Sequence, residues 1–188
     1  MKKIILASGS PRRKQLLEWA EIDFDIMVSD TDESFPADLS FEDAAMHIAR
    51  NKALAVQQIN KNTQTILAAD TIVVCNNSII GKPRDRQDAI RILGELSGNT
   101  HRVITGVTIL DSDKEISFAD TTTVVFHDLT ADQINFYVDK YKPYDKAGAY
   151  AIQEWIGVVG IKGVQGDFYN VMGLPVSLVV QHLQALEA

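Results

Sequence analysis

The 188-residue chain holds a single cysteine, Cys75. It can therefore form no internal disulfide and no Cys-rich zinc site. Positive charge is also scarce: 18 Lys and Arg stand against 25 Asp and Glu, a net charge of −7. Non-specific nucleic-acid binding and adhesion to anionic membranes grow with summed positive charge, so neither is expected of this chain. A small polyanion held by a local cation cluster stays within reach. No apolar run approaches the roughly 18 residues that a membrane-spanning helix needs. The apolar run at residues 4–7 is too short for the core of a signal peptide. With one cysteine, the expectation is a cytoplasmic protein in a reducing compartment. His47, His101, His127 and His182 have no metal-ligand spacing and read as structural or surface residues. Repeats, low-complexity segments and linkers are missing too, so residues 1–188 read as one domain, long enough to bury roughly 70% of its unfolded surface.

What is present alternates between strand and helix signals, though not regularly. Residues 3–7 form a short apolar run, ended by Ser8-Gly9-Ser10. Ser10 is an N-cap candidate with Pro11 at the first helical position. Ser40 and Asp43 open a second helix, whose Ala45, Ile48, Ala55, Val56 and Ile59 recur at helical period. Residues 65–75 are apolar and β-branched, as in a central strand. A helix carrying Ala89, Ile90, Leu93 and Leu96 ends before Gly98. Strands are expected over 103–110 and 116–126. A Thr130/Gln133 capping box starts another helix, residues 150–161 mix strand and turn signals, and Pro175 opens a C-terminal helix. The expected class is α/β, mixed toward α+β, with a mixed sheet.

Three features carry chemical signal. Ser8-Gly9-Ser10-Pro11-Arg12-Arg13 places two hydroxyls and two guanidiniums at a helix N-terminus. Cations there oppose the helix dipole, a conflict that a bound polyanion would resolve; solvated arginines are the equal alternative. The Walker pattern is absent, so this is no P-loop. Lys52 falls inside an apolar helical stripe, where a lysine more often snorkels than reaches into a site. Asp70 interrupts the strand at 66–74, where an unpaired carboxylate costs several kcal/mol by the usual order-of-magnitude estimates. It must be paired, protonated, metal-bound or at an opening, and the functional reading is favoured. Lesser candidates are Glu33 in an acidic loop with Asp30 and Asp32, which could face a hard cation, the turn Gly81-Lys82-Pro83, and the glycine-containing loop from Asp145 to Gln153. Hydroxyls, cations and a few carboxylates without a nucleophile–base pair suit a phosphoanhydride substrate with a divalent cation.

Ser8-Gly9-Ser10-Pro11-Arg12-Arg13, Glu33, Asn51-Lys52-Ala53, Ala69-Asp70-Thr71-Ile72-Val73, Gly81-Lys82-Pro83, Leu96-Ser97-Gly98-Asn99-Thr100-His101 and Asp145-Lys146-Ala147-Gly148-Ala149-Tyr150 together resemble the Maf family of nucleoside triphosphate pyrophosphatases, in the family's order. The resemblance implies one catalytic domain over 1–188, with two α/β lobes about an elongated mixed sheet, as in inosine triphosphate pyrophosphatases, and a cleft between the lobes. It implies hydrolysis of a nucleoside triphosphate to monophosphate and pyrophosphate with Mg²⁺ or Mn²⁺. Asp70 would accept the proton from water, and Glu33 and Asp70 would face the metal. Ser8, Ser10, Arg13, Lys52 and Lys82 would line the triphosphate. Arg12, Thr71 and Gln153 match the branch that takes dTTP and UTP, with modified pyrimidine nucleotides as further substrates. Gly81 occupies a place where some members carry Glu. The family also implies a homodimer. The alternative is a regulator of cell division that senses a nucleotide without turning it over.

Overall fold

A computed structural model gives the fold and describes residues 2–60 and 64–187. The elements are β1 (Ile4–Leu6), α1 (Pro11–Trp19), β2 (Phe24–Ile26), α2 (Phe41–Ile59), β3 (Ile66–Cys75), β4 (Ser78–Ile80), α3 (Arg86–Leu96), β5 (Thr100–Asp111), β6 (Lys114–Phe126), α4 (Ala131–Tyr141), a 3-10 turn (Ala147–Ala149), α5 (Trp155–Gly160), β7 (Ile161–Gln165), α6 (Phe168–Met172) and α7 (Val176–Glu187). The strands make one mixed sheet in the order β2-β1-β3-β5-β6-β7, with β4 paired to β3. β1 runs parallel to β2 and to β3, whereas β3/β4 and β6/β7 are antiparallel. The fold is thus α/β with a mixed sheet. Among the described residues no helix is long and apolar enough to cross a membrane.

The chain groups into two compact units. The first takes residues 1–71, 105–120 and 173–188. Its core gathers Ile5 and Ala7 from the first strand and its exit, Ala53 and Val56 from α2, Ile66 and Ala68 from β3, and Leu110 from β5. α2 begins at Ser40, whose hydroxyl accepts the Asp43 N–H at 3.0 Å. Glu42 and Asp43 add negative charge at the positive end of the helix dipole. The helix lies directly on β5. A Cβ added at Gly106 would collide with the backbone of Ala45 and Met46, so only glycine allows this approach.

The second unit takes residues 72–104 and 121–172. α3 and α4 are tied by Arg86, whose guanidinium donates to both Asp139 carboxylate oxygens at 2.6 and 2.9 Å. The Thr130/Gln133 capping box forms as the sequence predicts. His101, Phe126 and Tyr150 pack edge to face, with ring centroids 5.0–5.4 Å apart. Cys75 is buried.

Candidate active site

β3 is buried along its length except at Asp70 and Thr71, which are half-buried. Those two residues place polar atoms where the strand is least covered. The Asp70 carboxylate is not unpaired: Lys52 Nζ donates to Asp70 Oδ1 at 2.6 Å. The same amine donates to Glu33 Oε1 at 2.7 Å. The Lys52 and Asp70 side chains are 18% and 14% exposed, and Glu33 is 56% exposed. The bland expectation for Lys52, a snorkelling stem, is therefore corrected. Ala53 and Val56 bury the same face of α2, and Lys52 beside them turns its amine to β3 because two carboxylates meet it there. A charge pair this poorly hydrated interacts more strongly than one in open water.

The β1–α1 turn brings the second group together. Ser10 caps α1, accepting the Arg13 N–H at 3.5 Å, with Pro11 in the first turn. The Ser10 N–H donates to Ser8 Oγ at 3.3 Å. Arg13 folds inward and is buried. Its Nε donates to the Gly173 carbonyl at 2.8 Å, Nη1 to Ser8 Oγ at 3.0 Å, and Nη2 to Thr71 Oγ1 at 2.9 Å. Thr71 Oγ1 also shares a hydrogen bond with Thr105 Oγ1 at 2.9 Å. Burial pushes the Arg13 guanidinium below its ordinary value. The Asp70 and Glu33 carboxylates push back, while Arg12 adds to the lowering. Every hydrogen-bonded oxygen that Arg13 meets is neutral. A buried guanidinium with no carboxylate on its own donors is an electrostatic cost that an arriving anion would lower.

The first unit thus gathers Ser8, Ser10, Arg13, Glu33, Lys52, Asp70 and Thr71, and Arg12 stands beside them, half-buried on α1. Lys82 and Gln153 belong to the second unit and are both exposed. Lys82 follows Gly81, whose carbonyl accepts the Gly148 N–H at 3.2 Å. Thr105 and Gly173 were not singled out by the sequence. A β-branched residue in a strand carries no signal of its own. Gly173 adopts φ +117°, open essentially to glycine, which presents its carbonyl to Arg13.

Two carboxylates on one amine also define a point toward which hard oxygen ligands face. Among the described residues no group of three or more His, Cys, Asp or Glu could hold a metal ion. The donor set, Glu33 and Asp70, suits a cation that keeps most of its ligands as water or substrate oxygens, as Mg²⁺ does.

The sequence profile of the family described as Maf-like protein matches residues 3–186. A protein of Cytophaga hutchinsonii named dTTP/UTP pyrophosphatase is 50% identical, covering 97% of this chain and 84% of its own. One of the same name from Parabacteroides distasonis is 46% identical, covering 97% and 95%. Another from Bacillus mycoides is 45% identical, covering 100% and 97%. Among solved structures, the Staphylococcus aureus Ham1 protein is similar in fold, with a TM-score of 0.55 at 18% identity over 98% of this chain and 99% of that one.

Proposed function

Because the chain belongs to the Maf-like protein family, we propose that it is a nucleoside triphosphate pyrophosphatase, hydrolysing dTTP and UTP to the monophosphate and pyrophosphate. The observation that carries the reading is the Lys52 amine held between Asp70 and Glu33 at 2.6 and 2.7 Å on an otherwise buried strand. The names of relatives 45–50% identical over nearly the whole chain support it.

In this reading water attacks the α-phosphorus. A new P–O bond forms from water, the bond to the bridging oxygen breaks, and pyrophosphate leaves with its electron pair. Asp70 accepts the water proton. Lys52 engages Oδ1 only, which leaves Oδ2 for that proton. General-base assistance of this kind is worth about 10²- to 10⁴-fold. Lys52 lies beside Asp70, gives two of its three N–H donors to Asp70 and Glu33, and offers the third to a phosphate oxygen. Ser8 and Ser10 contribute hydroxyls, and Lys82 a further cation. Arg13 gives one of its five N–H donors to the Gly173 carbonyl, orients Ser8 and Thr71 through two more, and presents the other two to phosphate. Glu33 and Asp70 would hold a divalent cation, Mg²⁺ or Mn²⁺, which when bound neutralises the triphosphate and acidifies water.

Arg12, Thr71 and Gln153 are assigned to base choice. The Thr71 hydroxyl is already engaged by Arg13 and Thr105, so its contribution runs through the placement of Arg13. Gln153 is exposed and carries both an amide donor and an acceptor. Uracil and thymine present two carbonyls and a ring N–H; cytosine replaces one carbonyl by an amino group, which leaves a donor of such a site unsatisfied.

The test is pyrophosphate release from a nucleotide panel with Mg²⁺. The expectation is a kcat/KM for dTTP and UTP at least about tenfold above dCTP, ATP and GTP. Asp70→Asn should lower turnover about 10²-fold or more with little change in binding. No turnover of any triphosphate would leave a nucleotide sensor as the reading.

A further inference from the structure

Gln153 sits in a turn that one buried side chain fastens at both ends. Residues 151–154 close on themselves, the Glu154 N–H donating to the Ala151 carbonyl at 3.1 Å. Gln153 is the third residue of that turn, and its side chain is exposed. The Tyr137 hydroxyl of α4 accepts the Ala151 N–H at 3.1 Å and donates in a short hydrogen bond to Glu154 Oε2. One phenol oxygen therefore bonds the first and the last residue of the turn. Tyr137 is fully buried, and its ring stacks on Tyr141 at 4.9 Å. Burial pushes the phenol above its ordinary value, and Glu154 adds to it, so the hydroxyl keeps its proton and donates at neutral pH. Glu154 is steadied from its other oxygen by Lys146 Nζ at 3.7 Å; that amine also donates to Asp145 Oδ1 at 2.7 Å and is only 10% exposed.

The approach to the turn takes an uncommon backbone path. Gly148 and Ala149 adopt φ +73° and +57° in succession. Ala149 is fully buried and carries a Cβ that disfavours this conformation. Such a backbone persists only where surrounding contacts over-determine it.

We propose that Tyr137 is a positioning residue for base selection, holding the 151–154 turn so that the backbone carrying the Gln153 amide is fixed before the nucleotide arrives. The inference rests on the assignment of Gln153 to the base. A fixed amide discriminates because a wrong partner cannot be met by rearrangement; a loosened one adapts to cytosine as well as to uracil.

The experiment compares dTTP and dCTP kinetics in the wild type, Tyr137→Phe, Gln153→Ala and the double variant, with Tyr141→Phe as control. Tyr137→Phe keeps the packed ring and removes the hydroxyl. It should raise KM for dTTP about three- to tenfold, as for one lost hydrogen bond, with kcat within about twofold and a shrunken dTTP-over-dCTP ratio. The double variant should discriminate no less than Gln153→Ala alone, and Tyr141→Phe should match the wild type. Full discrimination by Tyr137→Phe, while Gln153→Ala loses it, overturns the positioning role and leaves the Gln153 assignment standing. Full discrimination by Gln153→Ala overturns the assignment and the inference with it. If Tyr137→Phe does not fold, Glu154→Gln, which keeps an acceptor for the phenol, and Glu154→Ala replace it. Only the alanine variant should lose discrimination, and equal ratios in the two overturn the proposal.

Discussion

Replacing Lys52 by Met keeps an apolar stem of similar length and removes the charge. From the sequence alone the fold should hardly notice, because a lysine at the edge of a helical stripe snorkels. The structure changes that expectation. Lys52 Nζ is 2.6 Å from Asp70 Oδ1, and both side chains are less than one-fifth exposed. Without the amine, the Asp70 carboxylate is left on the strand with no other cation of the described residues hydrogen-bonded to its oxygens. Removing one partner of a fully buried pair costs about 3–5 kcal/mol. With 14–18% exposure remaining, water recovers part of this, and a loss of about 2 kcal/mol is expected. For a chain of this size that lowers Tm by about 5 °C. The double variant Lys52→Met/Asp70→Asn removes the stranded charge as well, and should regain most of the lost Tm while neither variant turns over dTTP. Thermal unfolding of the wild type, both singles and the double closes the cycle. A double variant whose loss equals the sum of the singles would refute the argument that the pair is coupled.

Two further outcomes follow from other positions. Burial pushes His101 down to about 4, against 6.5 in an exposed ring. The unfolded chain then binds a proton between those values that the folded one refuses. Stability should accordingly be intact above about pH 6.5 and fall by up to about 3 kcal/mol as pH drops to 4. Urea midpoints for His101→Gln should show a flatter slope across that window, and an unchanged slope would assign the acid sensitivity elsewhere. Gly106→Ala places a Cβ on the backbone of Ala45 and Met46. It should cost about 1–3 kcal/mol and push α2, with Lys52, away from β5. A variant with wild-type melting and turnover would contradict this close approach.

The elements legible in the sequence were those whose ends carry side-chain caps and whose faces are periodic. Ser10, Ser40 and Thr130 cap α1, α2 and α4 as their spacing predicts. β3 was legible from its apolar, β-branched run. β2, β7, α5 and α6 were not. They are three to six residues long, and β2 exposes two of its three residues, so no period can develop. Within the site, Asp70 stood out because a carboxylate in a core strand is costly, and the structure supplies its partner. The partnership itself could not be read, because 18 residues separate Lys52 from Asp70 and only tertiary packing brings helix and strand to hydrogen-bonding distance. In the sequence Arg13 is a helix-terminus cation, equally compatible with a bound polyanion and with solvent. Its commitment to Gly173, 160 residues away, was invisible in spacing. The bonds of the Tyr137 hydroxyl to Ala151 and Glu154, 14 and 17 residues away, are invisible in spacing too.

In the proposed reaction water attacks the α-phosphorus of a pyrimidine triphosphate and Asp70 receives its proton. Hydrolysis of dTTP in ¹⁸O-labelled water with Mg²⁺, followed by mass spectrometry of the products, tests it most directly. One labelled oxygen is expected in thymidine monophosphate and none in pyrophosphate, with loss of the labelled product in Asp70→Asn. Label in pyrophosphate or orthophosphate, or an Asp70→Asn variant that labels the monophosphate at the wild-type rate, would contradict it.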